Sequence, residues 1–145
     1  MKKYKNIFKL ILAVAMTLSL TMYTVAATIM ASDYLSRYVA YVNPDGDGNV
    51  SVWFEVQGVY TMDEIGVLTI RLQEKPSGSS TWTTVKTYSH NDYPELLEYD
   101  ESFYWGHVDY AGTKGNSYRA YVTVWAGEDG DGDSRVITTE AIIAD

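Results

Sequence analysis

The chain has 145 residues, enough for one domain of ordinary size and too few for two comfortable ones. It has no cysteine, so an exported form must be held by its core without disulfide bonds. Nineteen Asp and Glu against eleven Lys and Arg give a net charge of −8. That balance argues against a nucleic-acid partner or an anionic membrane surface, both of which call for clustered cations.

The first 31 residues differ from the rest. Lys2, Lys3, Lys5 and Lys9 make a basic start, LILAVAMTLSL (10–20) an apolar stretch, and Ala26, Ala27 and Ala31 a small-residue end. This order predicts a secretory signal peptide over 1–31, cut after Ala26, Ala27 or Ala31. The alternative is an uncleaved membrane anchor, because the apolar character persists to Ala31. A secreted protein, extracellular or at the cell surface, follows from cleavage, and membrane association only from a retained leader. Without the four leader lysines, seven cations face nineteen acids, near −12. Such acidity serves solubility or attracts cations.

Residues 32–145 read as one all-β domain. Residues 34–42 (YLSRYVAYV) alternate as a first strand, and NPDGDGN (43–49) is a turn, with two Asp-Gly steps suited to positive φ. In 50–57, Val50, Val52, Phe54 and Val56 make one face and Ser51, Trp53, Glu55 and Gln57 the other. After a connection over 58–64, strand three (65–74) and strand four (82–88) form a hairpin about KPSGSS, around which the rest must pack. Leu68, Ile70 and Leu72 are its inward set.

Residues 89–101 (SHNDYPELLEYDE) predict a loop with one helical turn, Leu96 or Leu97 capping the core. Strand five (102–110, SFYWGHVDY) has an ambiguous phase. Strand six (118–125) sets Tyr118, Ala120, Val122 and Val124 against Arg119, Tyr121, Thr123 and Trp125. An acidic turn (127–134) and strand seven (135–143) close the domain. Seven short strands spaced by turns predict an antiparallel β-sandwich.

The segment GNSYRAYV (115–122) resembles the sixth strand of fibronectin type III and other immunoglobulin-like domains. In those, a tyrosine heading the strand packs inward and bonds back through its hydroxyl, and Tyr118 is the counterpart. The hairpin 68–88 resembles their third and fourth strands, and 50–56 their second. Many type III domains carry a core Trp on that second strand; here Phe54 holds the inward phase and Trp53 the outward one. The stretches VSVWFEVQG, TMDEIGVLTIRLQE, STWTTVKTY and YRAYVTVWAG also look like those of small exported proteins of Gram-positive gut bacteria, a domain family of unknown function. That resemblance implies a compartment and a β fold and carries over no site.

Two constellations point to ligands. Trp53, Tyr121 and Trp125 fall on outward phases, where rings stack on sugars or anchor protein partners, and Trp82 and Trp105 are candidates to join them. Counting Asp129 as position 1, Asp129, Asp131, Asp133 and Glu140 occupy positions 1, 3, 5 and 12, as in a calcium-binding loop, although Ser134 stands where that loop needs Gly. The competing reading of this run is an acidic hairpin turn. Catalysis has little support: only His90 and His107 offer neutral-pH bases, without an accompanying nucleophile turn. The expectation is an exported, non-catalytic module binding a glycan or a protein. The alternatives are a small secreted hydrolase acting on glycans, and a structural component assembling by strand addition.

Overall fold

The computed structural model describes residues 32–145; the expected leader and its cleavage points lie outside the described residues. Seven antiparallel strands run in order: β1 (Leu35–Gly46), β2 (Asn49–Lys75), β3 (Thr83–Ser89), β4 (Leu97–Tyr110), β5 (Ser117–Glu128), β6 (Asp131–Thr138) and β7 (Ile142–Ile143). A 3-10 turn, Pro94–Leu96, precedes β4 and seats Leu96 and Leu97 in the core, as the Leu-Leu pair predicts.

β2 organises the sheet. It runs for 27 residues and pairs with four other strands. Its first half lies between β1 and β4, and its second half between β5 and β3. β6 and the short β7 then pair with β5. The result is one strongly curled, half-barrel sheet rather than two sheets without a shared strand. The expected connection over 58–64 instead continues β2, pairing with β4 through Met62 and Glu64. The expected seventh strand starts earlier, at Asp131, and breaks into β6 and β7.

The curl comes from local breaks in strand geometry. Val67 faces Val124 and Thr69 faces Thr123, so Leu68 is an extra residue between them. A bulge of this kind bends a strand and increases its twist. It also shifts the inward phase, so Ile65 and Val67 are buried before it and Ile70 and Leu72 after it, while Leu68 is only half-buried. Gly66 has φ +146, and a Cβ there would fall 2.2 Å from the Leu96 carbonyl oxygen. Only glycine lets β2 pass β4 and β5 together at this point.

The concave side of the curl is the core. Val50, Val52, Phe54 and Val56 of β2, with Tyr118, Ala120, Val122 and Val124 of β5, are buried as their alternation predicts. Phe54 packs its ring over Gly106, where a Cβ would come within 2.8 Å of it. Burying each Val or Phe among these core residues contributes about 1.5–3 kcal/mol. Tyr118 packs its ring inward and accepts a hydrogen bond from the Thr113 N–H, five residues upstream.

Candidate functional site

The convex side carries the candidate residues. Because Val52 and Phe54 point inward, Trp53 points outward, and strand register decides its neighbours. Trp53 faces Tyr41 on β1 and His107 on β4, so the three form one row across three strands. Side chains directly opposite one another in antiparallel strands come close enough to stack. Tyr41 and Trp53 have ring centroids 6.5 Å apart with planes 6° from parallel. Trp53 and His107 are at 4.4 Å and 18°, and Trp105, one step along β4, lies 6.0 Å from Trp53 at 6°.

The ladder is fixed at its centre and open at its ends. The Trp53 indole N–H donates to Ser51 Oγ at 2.8 Å, which fixes the ring's orientation. Tyr41 and Trp105 remain 45% and 56% exposed, and Phe103, outward in the same phase of β4, is 43% exposed. Rings of this size left in water on one face have no part in the core, which makes them candidates for a partner. Beside the ladder lies an open depression of about 530 Å³ lined by Asp45, Asn49, Ser51, Trp53, His107 and Asp109, among others. His107 Nε2 sits 3.7 Å from Asp109 Oδ1. The depression thus sets carboxylates and an amide beside aromatic faces, a combination suited to the hydroxyls and apolar faces of a sugar.

Tyr121 and Trp125 point outward as well, on the other half of the sheet, and the structure does not bring them to Trp53. Tyr121 lies under two guanidinium groups, with Arg71 Cζ 4.7 Å and Arg119 Cζ 5.5 Å from its centroid. Trp125 lies down on two glycines: a Cβ on Gly127 or Gly132 would fall 2.7 or 2.6 Å from its ring atoms. Its indole N–H is buried with no acceptor among the described residues. Trp82 packs against Arg119 and Lys75 rather than joining the Trp53 ladder.

The four residues of the acidic run are also separated. Asp129 forms the tight β5–β6 turn with φ 53, and its N–H donates to Asp63 Oδ2 at 2.7 Å. Asp131 Oδ1 accepts from the Gly132 N–H at 2.9 Å. Asp133 Oδ2 accepts from Ser32 Oγ at 2.5 Å and from the Asp33 N–H at 3.2 Å, tying the start of the described chain to β6. These bonds, Ser32 above all, with Arg135 alongside, hold the Asp133 carboxyl below its ordinary range against the opposing effect of burial. Glu140 follows the far end of β6, whose 8 residues span about 26 Å at roughly 3.3 Å per residue. The run is an extended strand here, not a loop wound about an ion. Among the described residues, no three His, Cys, Asp or Glu are placed to hold a metal ion.

Tyr41 and His107 are the members of the ladder that sequence reasoning missed. Folding the chain about the Asp47-Gly48 turn sets residue 41 opposite residue 53, so the signal for Tyr41 was present in the hairpin itself. His107 needed the β2–β4 register, which sets it opposite a residue more than fifty positions away.

No protein-family model matches the chain, and no curated protein matches it either.

Proposed function

We propose that the chain is an exported, non-catalytic binding module of immunoglobulin-like, fibronectin type III-like architecture, taking glycans on the outer face of β1, β2 and β4. The observation that carries the glycan reading is the Tyr41–Trp53–Trp105 ladder, near-parallel rings held beside a depression lined with carboxylates. Ring faces bury the apolar faces of sugars, and carboxylate and amide groups accept or donate to their hydroxyls.

The pairing of strands supports the architecture. Dividing β2 near Gly66 leaves β1, the first half of β2 and β4 in one group, with β3, the second half of β2, β5 and β6 in the other. That grouping is what a seven-stranded sandwich of this kind requires, and Tyr118 stands at the head of β5 with its ring inward and its hydroxyl bonded back to Thr113. Export rests on the basic, apolar and small-residue order of 1–31.

The test is a broad glycan array run with residues 32–145, followed by titration of any hit while tryptophan fluorescence is read. Saturable binding that is lost in Trp105→Ala, with the thermal midpoint unchanged, is the expected result. An array without a hit, on protein shown to be folded, overturns the glycan reading. Product release in a parallel glycoside hydrolase screen overturns the non-catalytic one. Amino-terminal sequencing of protein recovered from the medium tests export, with a start after Ala26, Ala27 or Ala31 expected.

A further inference from the structure

The outer face of the other half of the sheet has a different chemistry. Register places Thr69, Arg71, Gln73 and Lys75 of β2 outward beside Ser117, Arg119, Tyr121, Thr123 and Trp125 of β5. Thr84, Thr87 and Ser89 of β3 flank them on one side, and Ser134, Val136 and Thr138 of β6 on the other. None of these outward positions is Asp or Glu, in a chain with nineteen acids. Three of the seven cations beyond residue 31 lie on this one face. Among the described residues, Arg71, Lys75 and Arg119 have no carboxylate within salt-bridge distance, whereas Arg37 and Arg135 each have one.

The rings explain how the cations are held. Arg119 spans the faces of Trp82 (4.4 Å) and Tyr121 (5.5 Å), Arg71 covers Tyr121 at 4.7 Å, and Lys75 lies 5.4 Å from Trp82. Stacking orients a guanidinium plane without occupying its in-plane N–H groups. Arg119 uses Nε to donate to Gln73 Oε1 at 3.0 Å, and among the described residues no other side chain claims its Nη donors or those of Arg71. Two guanidinium groups sharing one ring repel each other, and an anion between them turns that repulsion into attraction.

Next to Arg71 and Tyr121 is a depression of about 230 Å³, also lined by Thr69, Thr87, Thr123 and Val136. It is smaller than the roughly 300–1,000 Å³ of pockets that take drug-sized ligands, so it suits one sugar-sized group. Thr69 Oγ1 donates to Thr123 Oγ1 at 3.1 Å, which leaves the Thr123 and Thr87 hydroxyls to donate and all three oxygens with acceptor capacity toward sugar hydroxyls. The planar, two-oxygen geometry of a carboxylate matches the guanidinium fork. Three cations on a chain with this many acids are too few to hold a polyanionic backbone such as a nucleic acid.

We propose that this face is a second binding site, for a carboxylated saccharide of the uronic-acid class, with Arg71 and Arg119 gripping the carboxylate and the threonine-lined depression receiving the ring. The site is independent of the Trp53 ladder, which occupies the other half of the sheet.

Calorimetric titration of residues 32–145 with oligogalacturonate tests it, alongside the neutral galacto-oligosaccharide of equal length, a sulfated galactan oligomer and a glutamate-rich peptide. Saturable binding to oligogalacturonate is expected, weakened at least about tenfold in Arg71→Gln and in Arg119→Gln. Arg71→Lys keeps the charge and loses the fork, and it should also weaken binding while leaving the thermal midpoint in place. Trp105→Ala should bind oligogalacturonate as the parent does. Equal binding of the neutral oligomer, stronger binding of the sulfated oligomer or the peptide, or no saturation with oligogalacturonate overturns the proposal. Loss of oligogalacturonate binding in Trp105→Ala together with retention in both arginine variants also overturns it, by placing the ligand on the ladder.

Discussion

The Tyr118 hydroxyl donates a hydrogen bond to Glu74 Oε1 while accepting one from the Thr113 N–H at 2.7 Å. Asn116 Nδ2 donates to the same carboxylate oxygen at 3.0 Å, so the end of β2, the loop before β5 and the head of β5 are joined through one buried phenol. Tyr118→Phe keeps the ring and removes the hydroxyl, leaving Thr113 and Glu74 each short of a partner. The expected loss is about 0.5–1.5 kcal/mol in urea unfolding, the net worth of a hydrogen bond, because Thr113 is exposed and half-buried Glu74 keeps its bond from Asn116. An unchanged midpoint would show that water reaches both groups.

Buried phenols also set the alkaline limit of the fold. Burial pushes the Tyr88 hydroxyl up from 10.0 to about 12, and burial raises Tyr118 and Tyr104 as well. The folded state therefore favours the neutral phenol more than the unfolded chain does. That stabilisation is complete below pH 10 and is lost as pH rises toward 12. Thermal midpoints should be flat in this respect up to pH 10 and fall steeply above it, with Tyr88→Phe falling less than the parent. The Phe variant should start lower, since Tyr88 donates to the Asp109 carbonyl at 2.7 Å.

At the acid end the informative group is Asp133. Its folded carboxyl is held below the ordinary 3.8 by Ser32, so its contribution is full above that range and fades as pH falls through the lower, folded value. Ser32→Ala should move the Asp133 titration, followed by carboxyl-carbon NMR, upward toward the usual range. Exchange of the Tyr34 and Leu35 amides, which donate to Ser32 Oγ, should quicken in the same variant. An unshifted titration would mean that Ser32 does not govern it.

Gly66 offers the sharpest test of the curl. Alanine there needs a positive φ that side chains rarely adopt, and it drives a methyl group into the Leu96 carbonyl. The expected cost is about 3 kcal/mol or more, among the largest for a single methyl group, measured by urea unfolding. A change under about 1 kcal/mol would mean that β2 passes this point with room to spare.

The parts of the fold that the sequence made legible are those in which side-chain period and burial agree. Residues 50–56 and 118–124 alternate cleanly because each has one face in the core and the other, Ser51 apart, only half-buried. The run 58–64 carried no such pattern: Val59, Tyr60 and Thr61 are all exposed, and pairing with β4 keeps that part of β2 extended. Leu68, Ile70 and Leu72 have the spacing of one face, yet the bulge moves Leu68 off it. At the candidate site, Trp53 was visible as an outward ring. Tyr41 meets it within the local β1–β2 hairpin, but the β4 rings that meet it, and the Arg71 that covers Tyr121, depend on register between residues some fifty positions apart, and no local pattern encodes that.

The two proposed binding faces share one piece of backbone. β2 supplies Trp53 to one and Arg71 to the other within a single continuous strand, bent at Gly66 and bulged at Leu68 but not interrupted. No hinge of loop residues separates them, so neither face has a segment of its own that can open while the other stays shut. Amides of β2 in both halves should then exchange with solvent at one common rate, set by unfolding of the whole domain. A ligand on either face would slow that exchange on both, and the domain would report occupancy of one side as rigidity of the other.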